Sequence, residues 1–156
     1  TPETLGRDRI AAAVGAHTLR ADAPLLVIDA GTAITYDLVL PPGHFVGGNI
    51  SPGLTTRFRA LNHYTSRLPL VREEVPPLGT TTETAILSGV VSGIVYEMNG
   101  YIDDLRSKHP DLVVFLTGGN AFYFDGRLKC VTFASENLVW IGLNRILEYN
   151  VEDKDK

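Results

Sequence analysis

The chain has 156 residues, 44% of them apolar and 21% charged, with 15 Gly and 9 Pro. That is enough for one folded domain with a substantial core and a tight fit for two, and the profile excludes disordered and fibrous classes. A net charge of -4 and a pI near 5.5 give no general attraction for phosphate polymers or anionic lipid, so neither nucleic acid nor membrane is expected as a partner.

In chain order, an Ala-rich helix is predicted over residues 9–19, ended by Asp22-Ala23-Pro24. Strands follow at 25–29, 33–40 and 44–50, joined by Ala30-Gly31-Thr32 and Pro41-Pro42-Gly43, which is the chemistry of an antiparallel meander. Pro52-Gly53 opens a helix whose Leu54, Phe58 and Leu61 share one face, and it ends before Pro69. A loop at 70–79 precedes the longest helix, 82–108, where Ile86, Val90, Ile94, Met98, Ile102 and Leu105 keep a helical period. The apolar run 112–116 predicts a strand buried on both faces, and after a short helix or loop a second such strand is expected at 129–133. A terminal helix covers 138–149, and 151–156 is expected to fray.

Residues 1–150 thus read as one α/β domain with a mixed sheet flanked by helices, the plan of the ribonuclease H-like domain of sugar kinases, actin and heat-shock ATPases. No apolar run approaches the roughly 20 residues of a membrane span, and Thr1-Pro2-Glu3-Thr4 does not resemble a signal peptide, so a cytoplasmic location is expected. The missing initiator Met and the immediate entry into a helix suggest a piece of a longer protein. Cys130, the single cysteine, excludes a disulfide framework within one chain and is expected in a buried strand. The four histidines are scattered and no zinc pattern, Gly-x-Ser-x-Gly elbow or Walker A run occurs.

The most informative local feature is Asp29-Ala30-Gly31-Thr32, an acid at the end of a buried strand followed by a Gly-Thr turn. Gly31 leaves room for a phosphate, Thr32 can donate to it and Asp29 can hold a cation; an ordinary hairpin with Asp29 capping backbone fits equally well. Asp8, at the start of the first helix, reads either as a helix cap or as a general base, with Arg9 as a fork for a carboxylate or phosphate. Gly47-Gly48-Asn49-Ile50-Ser51-Pro52-Gly53 and Thr117-Gly118-Gly119 both end strands, where α/β sheets bind ligands, though tight connections explain them too. Thr82 or a neighbour is expected to cap the long helix, or to aim a hydroxyl at substrate.

The order of these motifs is more specific than any one of them. Gly6-x-Asp8-Arg9, Asp29-Ala30-Gly31-Thr32-Ala33, Gly47-Gly48-x-Ile50-x-Pro52-Gly53, Thr65-x-x-Leu68-Pro69, Gly79-x-x-Thr82-x-x-Ala85-Ile86, Thr117-Gly118-Gly119 and Gly142-Leu143 together resemble the C-terminal part of type III pantothenate kinases, a family also labelled Baf-type transcriptional activators. The resemblance implies ATP-dependent phosphorylation of pantothenate, the first step towards coenzyme A, in a homodimer using Mg²⁺ and a monovalent cation, K⁺ or NH₄⁺. By position it makes Asp8 the base and puts Gly6, Arg7, Asp8, Arg9 and Thr82 at pantothenate. It puts Gly31, Thr32, Gly118 and Gly119 at the nucleotide and Asp29 at the monovalent cation. Thr80-Thr81 stand where the family commonly has Lys-Asn, and the family's N-terminal Asp-x-Gly-Asn-Thr cradle for ATP is not found in these residues, so the chain by itself is expected to be inactive. Two other function classes fit part of the pattern: a DNA-binding regulator, which the acidic balance opposes, and a nuclease holding two metals on Asp8, Asp29 and Asp37.

Overall fold

The computed structural model describes residues 2–64, 76–130 and 132–152. The motif residues Thr65, Leu68 and Pro69, most of the loop expected at 70–79 and the last four residues of the tail lie outside these. A 3-10 turn at Pro2–Thr4 leads to α1 (Arg7–Leu19) and then to the meander β1 (Leu25–Ala30), β2 (Ala33–Leu40) and β3 (His44–Pro52). α2 (Leu54–Tyr64), α3 (Thr82–Lys108), β4 (Val113–Thr117), α4 (Ala121–Asp125), β5 (Phe133–Ala134) and α5 (Leu138–Glu152) complete the order. The sheet runs β3-β2-β1-β4-β5, with β2 antiparallel to β1 and β3, and with β4 parallel to both β1 and β5.

Alternation along β1 explains the two layers of helix. Leu26, Ile28 and Ala30 face one way, into a core built with Ile86, Val90, Ile94, Met98 and Ile102 of α3, while Leu25 and Val27 face the other way, onto Ala12, Ala13 and Ala16 of α1 and Leu138 of α5. Both faces of the strand are therefore dry, as its continuous apolar run requires, and each fully buried aliphatic side chain contributes about 1.5–3 kcal/mol. On the α1 side the helices approach closely: a methyl at Gly15 would meet the Leu138 carbonyl, and one at Gly142 would meet that of Ala11. The closing Gly142-Leu143 motif is thus a contact between helices.

α3 begins where its Thr pattern places it. Thr81, the residue before the first turn, caps the helix: its hydroxyl accepts from the Thr84 N–H at 3.2 Å, and its own N–H donates to Thr84 Oγ1 at 2.9 Å. The strand expected at 129–133 is corrected. Among the described residues pairing is confined to Phe133 and Ala134, and Cys130 is half-buried in a bend and not in a strand. The physical reason is a diverted donor, since the Lys129 N–H bonds the buried Asn99 side chain of α3 at 3.1 Å and is lost to the sheet. Among the described residues no helix is long and apolar enough to cross a membrane.

Candidate functional site

Thr35, Asp29 and Thr117 are direct cross-strand partners on β2, β1 and β4. Each lies two residues from a position paired in the same way, Asp37, Val27 and Phe115, and the last two pack in the α1-side core. The polar row therefore points to the layer that contains α1, at the carboxyl end of the parallel strands.

Asp29 is half-buried, and burial first, then the charges of Asp8 and Asp37, push its carboxyl above the ordinary range. The start of α1 and the end of β1 thus share one electrostatic neighbourhood with an excess of negative charge. Gly118 closes this neighbourhood from β4. Its φ of 90° is a left-handed conformation that glycine tolerates, and a side chain there would overlap Asp29 Oδ1 and come within 2.8 Å of the Ala30 backbone. The loop is pinned by the Asn120 N–H, which donates to the Ala30 carbonyl at 3.0 Å.

Of the residues expected at the acceptor, Gly6, Arg7 and Asp8 are exposed, and neither Arg7 nor Asp8 has a hydrogen-bond or ion-pair partner among the described residues. Gly6 stands at the helix cap position and Asp8 lies inside the first turn, where its side chain makes no cap bond. Arg9 is already paired. Its Nε donates to both oxygens of Asp37, at 3.0 and 3.1 Å, and its Nη2 also bonds Asp37 Oδ1. Asp37 is 1% exposed, so the guanidinium is committed to neutralising a buried carboxylate. Sequence reasoning placed Asp37 only among candidate metal ligands; an acid on an inward-facing strand position with an arginine 28 residues earlier was the available signal.

At the turn, the Gly31 N–H is already used by the Ala33 carbonyl at 3.0 Å, whereas the Thr32 hydroxyl is exposed and has no partner among the described residues. Thr32 is then the donor the turn presents. Gly119 is exposed, and Thr117 Oγ1 is fully buried without a hydrogen-bond partner beside Asp29. Thr82 is not brought to this cluster. Among the described residues it has no hydrogen bond to Asp8, Asp29 or Thr32; it begins α3, which packs on the face of the sheet opposite α1.

A second polar group lies on the α3 side and was missed from sequence. Glu97 Oε1 accepts from Tyr36 Oη at 2.7 Å and from Ser51 Oγ, while Arg57 Nη2 donates to Glu97 Oε2 at 2.6 Å. Burial pushes the Glu97 carboxyl up, but the bonds from Ser51, Arg57 and Tyr36 and the Arg57 charge outweigh it and leave it below the ordinary range. Burial and the neighbouring Glu97 also raise the Tyr36 phenol. The signal was present: Glu97 is the one charge on α3 between Glu83 and Asp103.

A βββ meander paired in parallel with a following helix–strand unit, with a carboxylate and two glycine turns at the strand ends, defines a domain of the ribonuclease H-like fold. Solved neighbours share this fold: an activator of 2-hydroxyisocaproyl-CoA dehydratase from Clostridium difficile with bound ADPNP (TM-score 0.51, 12% identity, 96% of this chain and 69% of that one) and an archaeal actin homologue (0.52, 12%, 90% and 54%). A structure named as a Baf family transcriptional activator from Campylobacter jejuni is more similar, with a TM-score of 0.70 at 26% identity over 96% of this chain and 67% of that one. The chain belongs to the type III pantothenate kinase family, whose model matches residues 1–104. Curated type III pantothenate kinases from Phocaeicola vulgatus and Bacteroides fragilis are 54% and 57% identical over 96% of the chain. The chain spans 63% of the length of these relatives.

Proposed function

We propose that the full-length protein transfers the γ-phosphoryl group of ATP to the primary hydroxyl of pantothenate, the first step of coenzyme A synthesis, and that this domain supplies the acceptor and cation side. The observation that carries it is that Asp8, an exposed carboxylate at the start of α1 with no partner among the described residues, lies within electrostatic reach of Asp29 behind the Thr32 turn. Asp8 accepts the hydroxyl proton as the oxygen attacks, and Arg7, without an ion-pair partner among the described residues, holds the carboxylate of the substrate in its planar fork. Thr32 donates to a phosphate oxygen, and the Gly31 and Gly118-Gly119 turns let the nucleotide approach the backbone.

To a monovalent cation the site offers the Asp29 carboxylate, whose ionisation is disfavoured by burial and then by the charges of Asp8 and Asp37, and the Thr117 hydroxyl oxygen, which has no partner among the described residues. K⁺ or NH₄⁺ there, and Mg²⁺ with the nucleotide, would offset the charge of the phosphoryl group. A homodimer is part of this proposal, with Thr82 at pantothenate. The two-metal nuclease finds less support: Asp37 is tied to Arg9, and among the described residues no group of three or more His, Cys, Asp or Glu is placed to hold a metal ion.

The test is a coupled ADP-release assay on the full-length protein. ADP release that requires pantothenate and rises with K⁺ is expected; release indifferent to pantothenate would refute the assignment.

A further inference from the structure

The Thr32 turn is held from outside by an extended hydrogen-bonded chain that ends on α3. The Thr32 carbonyl accepts from the Gly53 N–H at 2.9 Å and from Thr56 Oγ1 at 2.7 Å. Gly53 lies so close that a side chain on it would overlap the Gly31 carbonyl and meet the Thr32 carbonyl carbon at 2.9 Å. The start of α2 is therefore seated directly on the back of the turn. Arg57, one helical turn further, fixes that seat: its N–H donates to the Gly53 carbonyl at 2.9 Å and its Nε to the Pro52 carbonyl at 2.7 Å. Its Nη2 reaches across to Glu97 at 2.6 Å, and Glu97 is braced in turn by Tyr36 and Ser51 of β2 and β3.

A carboxylate here is a costly way to join two elements. Arg57 and Glu97 are 22% and 26% exposed, and an apolar pair of similar shape would pack α2 on α3 at least as well. What an apolar pair could not do is aim. A fork held by a carboxylate at one end and by the Pro52 carbonyl at the other fixes both the height and the rotation of the α2 start, hence the direction in which Thr32 presents its hydroxyl.

We propose that Glu97 and Arg57 are positioning residues for the nucleotide, holding the Thr32 turn in place through Pro52, Gly53 and Thr56. The proposal rests on the assignment of Thr32 to ATP phosphate. Both residues lie on the α3 side of the sheet, away from Asp8 and Arg7, so their effect is confined to the nucleotide.

The experiment uses the full-length protein and two readouts, binding of a fluorescent ATP analogue and steady-state KM for each substrate. Glu97→Gln keeps the shape and removes the charge; it is expected to weaken analogue binding and raise the KM for ATP about tenfold, the scale of losing an outer support, with the KM for pantothenate within about twofold. Arg57→Lys, which keeps the charge but loses the fork, gives a smaller loss than Arg57→Gln. Should those variants fail to fold, Thr56→Val deletes only the hydroxyl bond to the Thr32 carbonyl and shows the same substrate split. Unchanged nucleotide affinity, or equal changes in both KM values, would overturn the proposal. If the parent protein binds the analogue but does not phosphorylate pantothenate, the functional assignment fails, while the binding readout still decides the positioning role.

Discussion

Replacing Arg9 separates holding the fold from holding substrate. Asp37 is 1% exposed and is bonded through both oxygens to Arg9, which is itself 17% exposed. Arg9→Met therefore leaves a carboxylate buried without its counter-charge, and losses of this kind run to about 3–5 kcal/mol. Allowing for the residual exposure of Arg9, about 3 kcal/mol is expected, which lowers the Tm of a protein this size by roughly 6–12 °C. Asp37→Leu, of similar shape, removes the charge instead, and the double variant recovers most of the loss because neither charge remains to be satisfied. Thermal melts of the full-length protein and its three variants, followed by circular dichroism, measure the coupling. If Arg9→Met melts within about 2 °C of the parent, or the two single losses simply add, the pair is not the buried anchor described here.

Gly118→Ala combines a left-handed backbone with overlap on Asp29 Oδ1 and the Ala30 backbone, so a loss of about 2–5 kcal/mol is expected in chemical denaturation, together with loss of K⁺ activation. Asp29→Asn goes the other way. Because the folded carboxyl sits above its unfolded value, the stability it contributes is full below pH about 3.9 and is lost as pH rises through the raised folded value; the amide removes that decline and raises the Tm at pH 7. The same variant loses its response to K⁺, and a normal K⁺ response in it would remove Asp29 from the cation site.

The fold was legible where a single physical rule decided an element. The period of Ile86, Val90, Ile94, Met98 and Ile102 gave α3 with the bounds found, and the unbroken apolar run before Thr117 gave a strand buried on both faces. It was illegible where a distant partner decided, as when Asn99 takes the Lys129 N–H and leaves Cys130 in a bend. The site divides in the same way. Asp29, Gly118 and Asp8 announce themselves by strand ends and a helix start, and the structure brings them together. Asp37 and Glu97 each stand out as a lone charge in an apolar stretch, but their partners, Arg9 and Arg57, lie 28 and 40 residues away, and no local pattern encodes which cation answers which acid.

The most direct test is the turnover of Asp8→Asn in the full-length protein, with pantothenate and ATP both saturating. Loss of the base predicts a kcat lower by about 10²- to 10⁴-fold, with nucleotide binding unchanged. Turnover near that of the parent would show that the carboxylate at the start of α1 does not take the proton, and the account of the site would be wrong.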